Sequence, residues 1–308
     1  MLYVFSPEKR DLEPISTPPK SGWVHVVNPG PDEAARLHKD LGVPREHLRH
    51  ALDLDEVARI DRNKDTRLIV LRVPWRQGEG QGLPYRAAPL GVMLVDGPLV
   101  TVTPVETEVI RDLLALPALE PANHHRFLFQ LILCTADRFL SALREIDRDV
   151  ATLEDELQAS LRNEELLGLL KYQKSLVHIT SALTSNRIML ERIQKDPRFQ
   201  ISPEDHDLLE DALVEIHQLI EMASISENVL IQMMDAFASL IANKLNSVMK
   251  VMTALAMILV FPTMVSSFFG MNVRLPFQEH PQAFLFAILL SVLISGAVAA
   301  IFLRKRWL

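Results

Sequence analysis

The chain has 308 residues, a net charge of -7 and one cysteine. That acidic balance excludes the basic footprint of a nucleic-acid binder, and the lone Cys134 excludes an intramolecular disulfide and suits a reducing compartment. A mean hydropathy of +0.13 averages a charged region of about 240 residues, ample for a sizeable core, with two long uncharged runs at the C-terminal end.

The opening MLYVFSPEKRDLEP has no basic stretch followed by a long apolar core, so no cleavable signal peptide is expected and membrane insertion falls to the C-terminal runs. Trp23 to Val27 reads as a strand ended by Asn28-Pro29-Gly30-Pro31, with Asp32 capping a helix through Leu41. A second helix covers Arg45 to Leu54. Thr66 to Pro74, Ala87 to Val95 and Leu99 to Thr103 read as strands, Asp96-Gly97 being the hairpin turn between the last two. Residues 1–122 therefore form an α/β module of four or five strands. Gly78-Glu79-Gly80-Gln81-Gly82 lacks the lysine and following helix of a phosphate-binding loop and reads as a flexible hairpin loop.

Residues 123–250 are helical, with almost no breakers. One helix runs from about His124 to Ser160 and a second from about Asn163 to Lys195, closed by Asp196-Pro197. Cys134 packs between apolar neighbours, and the charge-rich Arg144 to Glu156 is a solvated face. His124, His125, His178, His206 and His217 show no ligand spacing with acids or cysteines and read as surface or ordinary helix residues, which leaves an enzyme without a site. Ser202-Pro203-Glu204-Asp205 supplies an N-cap, a proline at the first helical position and first-turn acids. No glycine follows until Gly270, which predicts one helix from Pro203 to about Gly270, roughly 100 Å long. A helix of that length needs partners.

Residues 251–308 hold the two uncharged runs, Val251 to Val273 and Pro281 to Leu303, 23 residues each and separated by seven. Each is long enough to span a bilayer, and so short a connection forces a helical hairpin. Lys244 and Lys250 before it, and Arg304, Lys305 and Arg306 after it, outweigh the single Arg274 of the loop. The positive-inside bias then puts both termini of a multi-pass protein in the cytoplasm, at the cytoplasmic (inner) membrane.

Stepping back from Gly270 by alternating three and four residues gives Ser267, Thr263, Val260, Ala256, Thr253, Met249 and Asn246, small or polar except at Val260 and Met249. Continued upstream, the same seam gives Ala242, Ser239, Asp235, Gln232, Asn228, Ile225, Glu221, Gln218, Val214 and Asp211. Small residues alone signal close helix packing. A line this polar signals instead water along an axis shared by several copies, since one hairpin encloses no pore.

The segment Asn243 to Thr253, Pro262, Phe269-Gly270-Met271-Asn272, the two terminal spans and the ending Arg304-Lys305-Arg306-Trp307-Leu308 resemble the CorA family of magnesium transporters. Trp23 to Arg36 and Leu52 to Arg59 are similar to that family's soluble domain, so the resemblance covers nearly the whole chain. It implies an α+β fold and a funnel-shaped homopentamer: a cytoplasmic α/β domain, long stalk helices, two C-terminal transmembrane helices, and the Gly270-Met271-Asn272 loop at the outer mouth as selectivity element. It places Asn272, Thr263, Met249, Asn246 and Asp235 at the pore; the seam adds Thr253, Ala256, Val260 and Ser267. It implies no covalently bound cofactor, with Mg2+ as substrate and as regulator through an intersubunit site. Asp211 matches the stalk acid of that site, while the strand partner falls near Gln77, with Glu79 the nearest carboxylate. In the loop, the family's acidic ring is displaced to Glu279, and Arg274 opposes it.

An asparagine ring suits a hydrated ion, because neutral carbonyls accept hydrogen bonds from coordinated water without trapping the cation. The plain alternative for Gly270-Met271-Asn272 is a helix C-cap with a left-handed residue. The expected partners are other copies of the chain, divalent cations and the lipid bilayer, with no nucleic acid. Met271 favours magnesium, cobalt or nickel; zinc transport in either direction, with or without proton coupling, and a non-conducting membrane-anchored helical scaffold are the competing readings.

Overall fold

The computed structural model describes all residues except 1, 7–10, 16–21, 64–65, 79–81, 96, 118, 161–162, 273–280, 306 and 308. The chain divides into two compact units, Met1–Gln232 and Met233–Leu308.

The first unit is built on a mixed sheet of β1 (Leu2–Ser6), β2 (Asp11–Pro14), β3 (Trp23–Val27), β4 (Arg59–Asn63), β5 (Thr66–Arg76), β6 (Tyr85–Leu94) and β7 (Leu99–Thr103), in the order β2-β1-β3-β7-β6-β5-β4. The β3–β7 pair is parallel and the others are antiparallel. Seven strands thus stand where periodicity predicts four or five. The three unforeseen ones, β1, β2 and β4, are short and lie toward the two ends of the strand order. Strands β5 and β6 pair as far as Arg76 opposite Tyr85, and Gln77 N–H donates to the Pro84 carbonyl at 3.0 Å; residues 79–81 of the expected loop lie outside the described residues. Residue 96 of the expected Asp96-Gly97 turn lies outside the described residues.

Alternation along the strands makes two cores. On one face Leu68, Val70, Val100 and Val102 meet α1 (Pro31–Leu41) and α2 (Arg45–Leu52). On the other, Ile69, Leu71 and Val73 meet α3 (Glu108–Ala115), α4 (His124–Ser160), α5 (Asn163–Lys195) and the start of α6 (Pro203–Phe269), which contributes Leu209, Ala212 and Ile216. The close approach of α2 depends on Gly91 in β6: an added Cβ there would lie 2.5 Å from the Ala51 Cβ.

Trp23 anchors the larger core. It is fully buried, meets Phe127 of α4 edge-on at 4.9 Å, and donates its indole N–H to Thr101 Oγ1 at 2.8 Å. Each such aromatic contributes about 2–3 kcal/mol by burial. His25, two residues on and facing the same way, sits with Nδ1 2.8 Å from the same Thr101 hydroxyl. Burial holds its pKa down at about 4, so the imidazole is neutral and Nδ1 is free to accept.

Local details correct the sequence reading. Gly30, not Asp32, is the N-cap of α1, and the Glu33 carboxylate accepts from the Gly30 N–H at 3.0 Å. Helix α2 stops at Leu52 because Asp53 turns the chain, its carboxylate accepting from the Asp55 N–H at 3.1 Å. Helix α3 was not anticipated; Thr107 caps it through Val109 N–H. The bounds of α4 and α5 are those expected, and Ser202 caps α6, its hydroxyl accepting from Asp205 N–H at 3.1 Å. The acids of Arg144 to Glu156 are not merely solvated: Glu145 binds Arg76 at 2.8 Å and the Tyr85 hydroxyl, Asp149 binds the Tyr172 hydroxyl, and Asp147 binds Ser226 of α6.

The second unit holds the remainder of α6 and α7 (Ala283–Arg304). Both helices are long and apolar enough to cross a membrane, and only 11% and 6% of their most apolar windows are buried, unlike the core helix of a soluble protein.

Candidate functional site

Helix α6 carries the predicted seam as part of one unbroken element of 67 residues. In the first unit Asp211, Val214, Gln218, Glu221, Ile225, Asn228 and Gln232 are all exposed. In the second unit the same holds for Asp235, Ser239, Ala242, Asn246, Met249, Thr253, Ala256, Val260, Thr263 and Ser267. Exposure of Val260 at 57% and Met249 at 63% is a large apolar area for a chain to leave uncovered.

The opposite face of the apolar part of α6 is the covered one. Ala254 and Val265 are buried, with Ile258 and Phe261 half-buried between them. These positions stand two residues from Ala256, Val260, Thr263 and Ser267, about 200° around the helix. A bond from Ser295 of α7 to the Ile258 carbonyl, 3.2 Å, identifies α7 as the element on that side. Its C-terminal end is closed by Trp307 stacked on Phe302 at 5.4 Å.

Along the seam, Ala256, Val260, Thr263, Ser267 and Met271 line a groove of about 490 Å³. The Thr263 hydroxyl donates to the Leu259 carbonyl at 3.0 Å. With its hydrogen committed to the backbone, it offers the groove lone pairs only.

Gly270 and Asn272 are both exposed. Gly270 N–H still bonds to the Ser266 carbonyl at 2.9 Å, and Met271 N–H bonds to Phe268 at 3.2 Å. Neither Gly270 nor Asn272 has a positive φ, so the tripeptide is not a left-handed C-cap. Residues 273–280, which include Arg274 and Glu279, lie outside the described residues.

Asp211 is exposed on α6 and Gln77 follows the end of β5, while Glu79 lies outside the described residues. Among the described residues no group of three His, Cys, Asp or Glu side chains is placed to hold a metal ion. His124 and His125 are half-buried helix residues, in keeping with the ordinary role expected of them, and burial lowers both pKa values. They line a polar cleft with Arg67 and Arg198, but Asp196 already binds Arg198 at 2.7 Å and Glu120 lines the same cleft. No local sequence pattern marks Ser295, whose bond to Ile258 depends on the packing of α7 on α6.

A sheet-based unit, and a long helix whose apolar end is followed by a second apolar helix, define a two-span membrane protein. The chain belongs to the family of CorA-like Mg2+ transporter proteins, whose model matches residues 20–306. It is therefore a transporter and not an enzyme. The cobalt/magnesium transport protein CorA of Methanocaldococcus jannaschii is 28% identical over 93% of this chain and 91% of its own. The complete structure of the CorA magnesium transporter from that organism superposes with a TM-score of 0.83 at 25% identity, covering 100% of this chain and 98% of that one. The zinc transport protein ZntB of Pectobacterium atrosepticum is 22% identical over 94% of this chain and 88% of its own.

Proposed function

We propose that five copies of this chain surround a pore lined by α6 and conduct hydrated divalent cations, Mg2+ foremost, into the cytoplasm. The observation that carries this reading is that Ala256, Val260, Thr263 and Ser267 of the seam lie on the face of α6 opposite the one that α7 covers. Polar and small side chains recur along this face where a lipid-facing one would be apolar, and further copies around an axis both cover the seam and hydrate it.

The residues suit a hydrated ion. Five Asn272 amides at the outer mouth accept from the waters of a Mg2+ that surrenders its shell reluctantly. Below them the Thr263 ring presents acceptors, its donors being held by Leu259. Val260 and Met249 narrow the path and gate it by dewetting, and Asn246 and Asp235 continue it toward the cytoplasm. With Lys244, Lys250, Arg304 and Lys305 flanking the hairpin, both termini are cytoplasmic. Inward flow then gains about 4.6 kcal/mol per 100 mV for a divalent ion, without a pump.

The test is ion flux into liposomes holding the purified protein, comparing Mg2+, Co2+, Ni2+ and Zn2+ with and without a proton gradient, alongside native mass spectrometry. Mg2+ uptake by a pentamer is the expected result. Proton-dependent Zn2+ movement would favour the second reading, which the similarity to a zinc transport protein supports. Monomers without flux would leave a membrane-anchored scaffold.

A further inference from the structure

Pro262 lies in the interior of α6, where it has no N–H for the Ile258 carbonyl one turn back. That carbonyl is nevertheless bonded: the Ser295 hydroxyl of α7 donates to it at 3.2 Å. The next carbonyl, Leu259, receives the Thr263 hydroxyl at 3.0 Å. Both backbone acceptors beside the proline therefore hold a hydroxyl, one from α6 itself and one from the neighbouring helix. Ser291, a turn earlier on α7, returns its hydroxyl to Ala287 of its own helix at 2.8 Å, so it does not compete for the role. Ile258 and Ser295 are half-buried, on the face away from the seam.

We infer that Ser295 is a positioning residue for transport: its hydroxyl ties the Pro262 break in α6 to α7 and so sets the bend of the pore-side helix. A proline break is a point where a helix bends at little cost unless something outside holds it. The leverage is considerable. Gly270 lies eight residues beyond Pro262, about 12 Å along the axis, so a change of about 10° in bend moves the selectivity tripeptide by about 2 Å. Displacement on that scale in each copy alters how Asn272 and Thr263 meet the waters of one ion. The inference rests on the pore reading for its consequence in transport, but the tie between the helices stands independently of it.

The experiment pairs Ser295→Ala and Ser295→Thr with Pro262→Ala in the full-length protein. Amide hydrogen exchange over residues 255–266 is measured in detergent, and Mg2+ uptake per assembled oligomer in liposomes. Ser295→Ala should speed exchange in that stretch by about threefold, the size of a typical interhelical hydrogen bond, and change Mg2+ uptake comparably, the half-saturating Mg2+ concentration included, because the tripeptide shifts relative to the ion. Ser295→Thr keeps the hydroxyl and should match the wild type in both. In the Pro262→Ala background a backbone N–H takes over the Ile258 carbonyl, and adding Ser295→Ala should change neither quantity further. Equal effects of Ser295→Ala with and without the proline would overturn the tie, as would no effect on exchange. Altered exchange with unchanged uptake would overturn the positioning role. A wild-type protein that carries no Mg2+ at all would instead sink the pore reading, and the exchange measurement would still decide the tie.

Discussion

Asn186 grips Arg72 by both of its backbone groups, accepting from the Arg72 N–H at 2.9 Å and donating to the Arg72 carbonyl at 2.8 Å. The reason lies in the register. Arg72 stands opposite Pro89 of β6, which has no N–H to give, and the pairing of β5 with β4 has ended at Val70, opposite Arg59. The amide of α5 thus continues the ladder where the edge strand stops. Asn186→Leu should leave two backbone groups unpaired and destabilise the first unit by about 2–5 kcal/mol, read as a fall in unfolding temperature of the detergent-solubilised protein. A loss below about 1 kcal/mol would mean that water replaces the amide.

Acid should weaken the same unit through His25. Its pKa in the folded protein is about 4 against an ordinary 6.5, so the unfolded chain takes up a proton the folded one refuses. Stability is full above pH 6.5 and declines as pH falls toward about 4, by up to about 3 kcal/mol. The neighbours Trp23 and Thr101 offer no carboxylate to compensate. His25→Asn should flatten this part of the unfolding temperature profile between pH 7 and pH 4; a profile parallel to the wild type would remove His25 as the cause.

Asn272→Ala should reduce Mg2+ uptake by about tenfold or more, equivalent to about 1.4 kcal/mol, while the elution volume of the assembled protein stays put. Because residue 272 is not left-handed, alanine brings no backbone penalty or relief there, so a lost activity reports the amide itself. Unchanged uptake through a well-assembled variant would take selection away from this residue.

If Mg2+ binds between copies at Asp211, it should protect the first unit from proteolysis. At ten times the dissociation constant the stabilisation is about 1.4 kcal/mol. Asp211→Ala should abolish the protection. Identical digestion rates with and without millimolar Mg2+ would show that no such site operates here, as the Gln77 departure from the family pattern would explain.

How much of this was legible beforehand depended on the kind of signal. Ser202-Pro203, the absence of glycine up to Gly270 and the apolar runs delimit α6 and α7, and Asp196-Pro197 ends α5, because helix ends have chemical markers. Strand β4, Arg-Ile-Asp-Arg-Asn, has no such marker: it is polar because it is an edge strand, and its identity comes from pairing with β5. Strand β1 is a short apolar segment too brief to show alternation by itself, and its partner β2 carries almost no strand signal. Helix α3 did have one, Thr107 followed by Glu108 and apolar residues at helical spacing. The seam was readable because small and polar side chains recur at helical spacing back from Gly270. Ser295 was not, since a bond to Ile258 on another helix depends on packing that no local pattern encodes.

The burial of Cys134 has a practical consequence for probing the seam. Its thiol lies inside the first unit, 6% exposed, and burial pushes its pKa up to about 11, so almost no thiolate exists at neutral pH. Thiol reagents should pass over the folded wild-type chain, which makes it a silent background for reporter cysteines. Single replacements at Asn246, Thr253 or Ala256 would then each label at one known place. If copies meet around an axis, oxidation should join such reporters between chains, turning the spacing along α6 into a chemical ruler for the assembled protein.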